Sequence, residues 1–216
     1  MDSFVCLSFI KKAPSIMDIT PENMATGTMT EKELSLFTRY LQESRNYLEF
    51  GAGASTIRAA KLENLDSIYS VESSEEYIKE HLLTDNNILR AIRNKKLFFF
   101  PVDIGITTEW GHPRDTAKKY LWPNYALSIF NLKKNFDLVL IDGRFRVACA
   151  LATLLSIPNA TIIIHDFWNR SFYHIILNYF DVVAKADTLA VLKKKATVDI
   201  EEIQILIAQY QYQPRR

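Results

Sequence analysis

Three things are scarce in this chain: cysteine, net charge and long apolar runs. Its two cysteines, Cys6 and Cys149, lie far apart and match no metal-ligand spacing. Neither a disulfide framework nor a cysteine-held metal is expected, and reduced apolar thiols in a cytoplasmic protein are. The formal net charge is +1, with acids and bases interspersed, so no field singles out nucleic acid or an anionic membrane as partner. The clusters RNKK at 93–96 and KKK at 193–195 read as solvated ends of secondary elements. No stretch reaches the roughly 20 apolar residues a membrane span requires. The apolar FVCLSFI near the start follows Asp2, precedes Lys11 and Lys12 and lacks a small-residue cleavage site, which makes it a poor signal peptide. Repeats, low-complexity tracts and interdomain linkers are missing too. A length of 216 residues supports one sizeable core, so a single domain over 1–216 is expected.

What is present is a series of short apolar runs, each ending in an acid: NYLEFG at 46–51, DSIYSVE at 66–72, LFFFPVD at 97–103, FDLVLID at 136–142 and ATIIIHD at 160–166. Runs unbroken by alternating polar residues are the mark of strands buried on both faces of a parallel sheet. Between them, residues 55–62, 74–83 and 144–157 carry helix-start residues or continuous helix-compatible apolar content. The alternation predicts an α/β, Rossmann-like, doubly wound and mostly parallel sheet. An N-terminal helix over 30–44 opens with a capping box, Thr30 followed by Glu33. A helix near 171–180, a hairpin of VVAKA and TLAVLKK, and a last helix capped by Asp199 complete the chain. The 32 residues 104–135, with EWGHPRD and YLWPNY, form an insertion between strands three and four. The predicted parts are then an N-terminal segment and helix (1–45), a cofactor-binding half (46–103), the insertion (104–135) and a substrate-side half (136–216).

In such sheets ligands bind beyond the carboxyl ends of the strands, so the five strand-terminal acids are expected on one rim. Gly51 and Gly53 permit a tight turn and close backbone approach before a helix N-terminus. Glu72 lies 19 residues beyond Gly53, where a carboxylate can accept from both ribose hydroxyls. Thr56 occupies the place of a third dinucleotide glycine, so the pattern points to adenosine without pyrophosphate.

These residues resemble the first motif of class I S-adenosylmethionine-dependent methyltransferases, an acid followed by Gly-x-Gly-x-Gly. Glu49, Gly51 and Gly53 match it, and Ser55 replaces the last glycine. The resemblance implies S-adenosylmethionine as cofactor, with Glu49, Gly51, Gly53 and Ser55 at its methionine part, Glu72 on the ribose and Asp103 beside the adenine. VDIGITTEWGHP and IDGRFRVACALAT are similar to phrases of a small group of uncharacterised bacterial methyltransferase-like proteins.

Chemistry at the rim falls to Asp142, His165 and Asp166, as aligning or proton-accepting groups in an in-line methyl transfer. Asp142 and Asp166 also resemble the paired acids of Mg²⁺-dependent O-methyltransferases, although Phe167 stands where Asn commonly follows, which leaves metal as an option only. Arg144 and Arg146, just past Asp142, can neutralise it or bind an anionic substrate, and an Arg144 pair with Asp142 would count against metal. The Asn-Pro-Pro-Tyr loop of nucleobase methylation is missing after Asp142, so the expected partner is a small hydroxylated molecule, with a homodimer compatible. Two other readings stand beside O-methylation: a catalytically inactive cofactor-binding regulatory or scaffold protein, and an NAD-dependent oxidoreductase. For single residues the plain alternatives are strong. Asp142 and Asp166 serve equally as helix caps, His165 as a satisfied buried histidine, His112 as a turn residue and Cys149 as core. Trp110, Tyr120, Trp122 and Tyr125 serve as the insertion's own core.

Overall fold

The computed structural model describes residues 28–214; the apolar N-terminal run and Cys6 lie outside the described residues. In chain order come α1 (Glu31–Glu43), β1 (Asn46–Phe50), α2 (Ala54–Lys61), β2 (Ser67–Glu72), α3 (Glu75–Tyr77) running into a π turn at Ile78–Leu82, α4 (Asn86–Arg93) and β3 (Leu97–Pro101). After the insertion's α5 (Pro123–Leu127) follow β4 (Leu138–Ile141), α6 (Arg146–Ser156), β5 (Thr161–Ile164), β6 (Phe180–Ala186), β7 (Leu189–Lys194) and α7 (Ile200–Tyr210). The seven strands form one sheet in the order β3-β2-β1-β4-β5-β7-β6. β1 to β5 pair in parallel, and β7 runs antiparallel between β5 and β6. All five predicted strands and the C-terminal hairpin are therefore present.

Side chains sort by the twofold period of a strand. Leu48, Phe50, Val139, Ile141, Ile162 and Ile164 join the core shared with α6, α7 and the insertion. Tyr47, Leu138, Leu140 and Ile163 join the core beneath α1, α2 and α4. Burial on both faces explains why the strands read as continuous apolar runs. Helix starts follow side-chain caps. Thr30 and Glu33 form the predicted capping box of α1, and Asp199 accepts from Glu202 N at 3.0 Å to open α7. α4, which has no counterpart in the sequence reading, is opened by Asp85, whose carboxylate accepts from Asn87 N and Ile88 N at 2.7 and 3.2 Å.

The chain builds outward from β1 to β3 and then crosses back to β4, so strand order reverses between β1 and β4. There the two following turns touch backbone to backbone. Gly51 has φ +97°, and a Cβ on it would lie 2.7 Å from both Gly143 Cα and Gly143 N. A Cβ on Gly143 would lie 2.1 Å from the Tyr125 hydroxyl. The insertion thus enters the fold at its switch point. Trp122 and Tyr125 are buried against Phe145, with ring centroids 5.7 and 5.6 Å away, and Trp122 Nε1 donates to Ile104 O at 2.9 Å. Trp110 and Tyr120, in contrast, are exposed, so only half of these aromatics form the insertion's core. Cys149 is buried core, as predicted.

Gly51→Ala combines an unfavourable φ with an unrelievable backbone clash, and is expected to cost at least about 2 kcal/mol. Gly53→Ala, whose Cβ would meet only the Tyr77 hydroxyl at 3.7 Å, is expected to cost less than about 1 kcal/mol. Urea midpoints of the two variants measure the difference.

Candidate active site

β1 delivers Glu49 to a place the strand-end pattern did not indicate. Its neighbours Leu48 and Phe50 face one core, so parity turns Glu49 to the other, where it is fully buried under the first turn of α2. The carboxylate accepts from four hydroxyls: Ser55 Oγ and Ser70 Oγ at 2.7 Å, Tyr47 Oη at 3.0 Å, and Thr56 Oγ1. Thr56 Oγ1 accepts in turn from Gly53 N at 2.9 Å. Glu49 and Ser55 therefore fix the glycine turn from below rather than lining its outer surface. Burial pushes Glu49 up to about 7, against the lowering effect of its hydroxyl donors.

Glu72, at the end of β2, does reach the rim. Its Oε1 accepts from Ser73 N, Ser73 Oγ and Ser74 N at 2.6, 3.0 and 3.0 Å, and its Oε2 accepts from Ala52 N at 3.1 Å. One lone pair of Oε2 has no donor in these bonds, since each carboxylate oxygen accepts about two. Above it, a Cβ on Gly111 of the insertion would come within 3.1 Å of Ser73 Oγ, so the insertion closes over this part of the rim. His112 Nδ1 lies 2.9 Å from Pro113 O in the turn that shapes the tip. Asp103 stands further out. It is held by the Lys118 ammonium and Gly105 N of the insertion, and the Lys118 hydrogen bond keeps its carboxyl below the usual range.

The turns after β4 and β5 bring Asp142, His165 and Asp166 together, with potential ligand atoms within 4.8 Å of one another. Two non-glycine residues in these turns, Phe145 and Asp166, have left-handed φ of +52° and +54°, a strain that clusters at functional sites. His165 is buried, its Nδ1 3.1 Å from Asp142 Oδ1 and its Nε2 3.4 Å from Glu33 Oε2. Burial alone would lower its pKa, but the hydrogen bond and charge of Asp142, with Asp166 and Glu33 behind, raise it. With both ring nitrogens facing carboxylates, His165 suits a cation that orients Asp142, and the geometry leaves no ring nitrogen for a substrate proton.

Glu33, which the sequence indicates only as a helix cap, does more. Besides accepting from Thr30 N at 2.8 Å it accepts from Thr188 N and Oγ1 in the β6–β7 turn, at 2.8 and 2.6 Å.

Of the two arginines that the sequence places just past Asp142, Arg146 forms an ion pair with it. Arg146 Nη2 lies 3.0 Å from Asp142 Oδ1, while Arg170 Nη2 lies 2.7 Å from Asp166 Oδ2. Burial works to raise the pKa of Asp142, but Arg146, His165 and Arg144 outweigh it and hold the carboxyl below its ordinary range. The trio is therefore a poor fit for Mg²⁺. That ion demands near-ideal octahedral oxygen coordination, whereas Asp142 Oδ1 is already shared by two donors and Asp166 by a guanidinium. The glycine turn fits a sulfonium nucleoside better, since a Cβ on Gly53 would meet nothing nearer than the Tyr77 hydroxyl at 3.7 Å and Glu72 keeps an acceptor direction beside the turn.

No protein-family model matches the sequence, and no curated protein matches it. Among solved structures, a methyltransferase-like protein from Silicibacter pomeroyi is 27% identical with a TM-score of 0.75, over 87% of this chain and 97% of that one. A protein assigned as a caffeoyl-CoA O-methyltransferase from Staphylococcus aureus is 15% identical with a TM-score of 0.53, over 81% of this chain and 88% of that one. The chain has the class I S-adenosylmethionine methyltransferase fold. No helix among the described residues is long and apolar enough to cross a membrane.

Because the folded pKa of Glu49 stands above its ordinary 4.5, its contribution is fully present below pH 4.5 and is lost as pH rises through about 7. Glu49→Gln is expected to remove about 3 kcal/mol of that decline between these limits, read as the difference in stability against pH between the two proteins. Glu49→Leu, which strands four hydroxyls, is expected to be destabilised throughout.

Proposed function

We propose that the protein is an S-adenosylmethionine-dependent methyltransferase acting on an oxygen of a small hydroxylated molecule, without a metal ion. The observation that carries this reading is Glu72. Its carboxylate is tied to the glycine turn through Ala52 N at 3.1 Å, yet it keeps acceptor capacity at the rim of a class I methyltransferase fold. That is the equipment a ribose requires. When bound, the cofactor supplies an electrophilic methyl group on a sulfonium.

The chain's own residues then bind, orient and accept a proton. Gly51 to Gly53, braced by Glu49 through Thr56, hold the backbone of the turn open to a ligand. Glu72 accepts from a ribose hydroxyl through the remaining lone pair of Oε2. Asp142, partly exposed at the end of β4, accepts a hydrogen bond from the acceptor hydroxyl and sets its approach along the line of displacement. Held below the ordinary range, Asp142 is too weak a base to ionise an alcohol beforehand. Methylation makes the oxygen's proton strongly acidic, however, and Asp142 then suffices to take it as the bond forms. His165 acts through Asp142 as a positioning residue, and Asp166, fixed by Arg170, closes the far side of the rim. The insertion, over Ser73 on one side and against Gly143 on the other, supplies the wall of the acceptor site.

A second reading, cofactor binding without transfer in a regulatory or scaffold role, is favoured by the engagement of Asp142 Oδ1 with both Arg146 and His165. Nicotinamide chemistry is disfavoured by Thr56, whose buried hydroxyl uses the third-glycine position to bond Glu49 and Gly53 N.

Calorimetric titration is expected to show binding of S-adenosylmethionine and S-adenosylhomocysteine, weakened at least ~10-fold, or about 1.4 kcal/mol, by Glu72→Ala. Tight NAD binding with no response to either methionine-derived ligand would sink the reading. Asp142→Asn is expected to bind cofactor as the wild type does, while turnover in an acceptor screen falls at least ~100-fold. Full activity in that variant would remove Asp142 from the chemistry.

A further inference from the structure

Arg146 opens α6 and is almost entirely buried, at 4% exposure. A guanidinium has five N–H donors in a rigid plane and must find acceptors for them when withdrawn from water. Here five acceptors surround it, drawn from the ends of β4 and β5. Nε donates to Gly143 O at 3.0 Å and Nη2 to Asp142 O at 2.8 Å, and Nη1 donates to His165 O. The two carboxylates complete the shell: Nη2 lies 3.0 Å from Asp142 Oδ1 and Nη1 3.7 Å from Asp166 Oδ2. The Tyr173 ring covers one face, its centroid 5.8 Å from Cζ.

Three backbone carbonyls and two carboxylates gathered around one guanidinium make an oxygen-lined site for a cation, and the cation in it is covalently part of the chain. We propose that Arg146 is a built-in replacement for a divalent ion: it spans Asp142 and Asp166 as a metal would, closes the Asp142–His165–Asp166 trio to metals, and serves as a positioning residue for Asp142. This deepens the reading of the rim as the reaction site, while its test requires no methyl transfer. The position of the guanidinium also explains why the paired acids survive at the rim without an ion: each carboxylate already has a fixed cationic partner, Arg146 for Asp142 and Arg170 with Arg146 for Asp166.

The test titrates Mn²⁺ into the full chain, followed by the loss of its electron paramagnetic resonance signal. Wild type is expected to show no saturable site at millimolar Mn²⁺. Arg146→Gln, which keeps the trio but removes the cation, is expected to gain one that disappears when Asp166→Asn is added. Arg146→Lys, which restores a charge, is expected to stay metal-free. A gain of metal binding is a signature that a purely structural role for Arg146 would not produce. Saturable Mn²⁺ binding by the wild type that is lost on Asp142→Asn or Asp166→Asn would overturn the proposal, as would failure of a folded Arg146→Gln variant to bind. Should Arg146→Gln not fold, Arg146→Met, an uncharged side chain of similar length, takes its place under the same criteria. Absence of S-adenosylmethionine binding alongside the expected Mn²⁺ results would refute the function above and leave the role of Arg146 standing.

Discussion

A carboxylate withdrawn from water must be surrounded by donors or cations, and this requirement organises the carboxyl-end rim of the sheet. Glu33, Glu49 and Glu72 are all buried, and each solves the problem differently. Glu49 gathers hydroxyls from its own strand, its neighbour strand and the helix above it. Glu72 gathers backbone N–H groups from two turns. Glu33 combines a helix cap, a hairpin turn and an imidazole. Each solution ties together elements that the sheet alone does not join, so the turns that would meet a ligand are fixed before it arrives. Such preorganisation reduces what binding must spend on ordering loops.

Much of this architecture is visible in the sequence because buried parallel strands have little freedom in composition. The runs NYLEF, SIYSVE, LFFFP, LVLI and TIII are strands for the same reason that they are apolar at consecutive positions. The hairpin and the caps at Thr30 and Asp199 follow equally local rules. α4 carried cues of its own, the capping Asp85 and an apolar face through Ile88 and Ala91, over two turns beside the basic run at 93–96. The positions of Glu72 at the end of β2 and of Asp142, His165 and Asp166 together after the adjacent β4 and β5 were legible from the spacing of strands and acids.

What local pattern does not carry is which way a side chain turns and which distant group it meets. Glu49 precedes the strand's last residue by one position, and parity alone decides that it enters the core beneath α2. The sequence places Arg144 and Arg146 beside Asp142, but not the left-handed backbone at Phe145 between them or the carbonyls of Asp142, Gly143 and His165 that Arg146 meets. The pairing of His165 with Glu33 joins β5 to the first described helix and needs the whole topology in place before it exists.

That last contact has a consequence for how the chain is completed. Glu33 and Thr30 bond Thr188 and Asp187 across 155 and 157 positions of sequence, and the final hairpin lies beyond β5 in the order of synthesis. Contacts of such long range come late in folding because the intervening loop must close first. α1 can form its cap early and pack Phe37 on Tyr47 of the next strand, but the bonds at its N-terminal end wait for the β6–β7 turn. The start of the first described helix is therefore the latch, and the imidazole that orients Asp142 gains its second carboxylate only when that helix and the final hairpin have met.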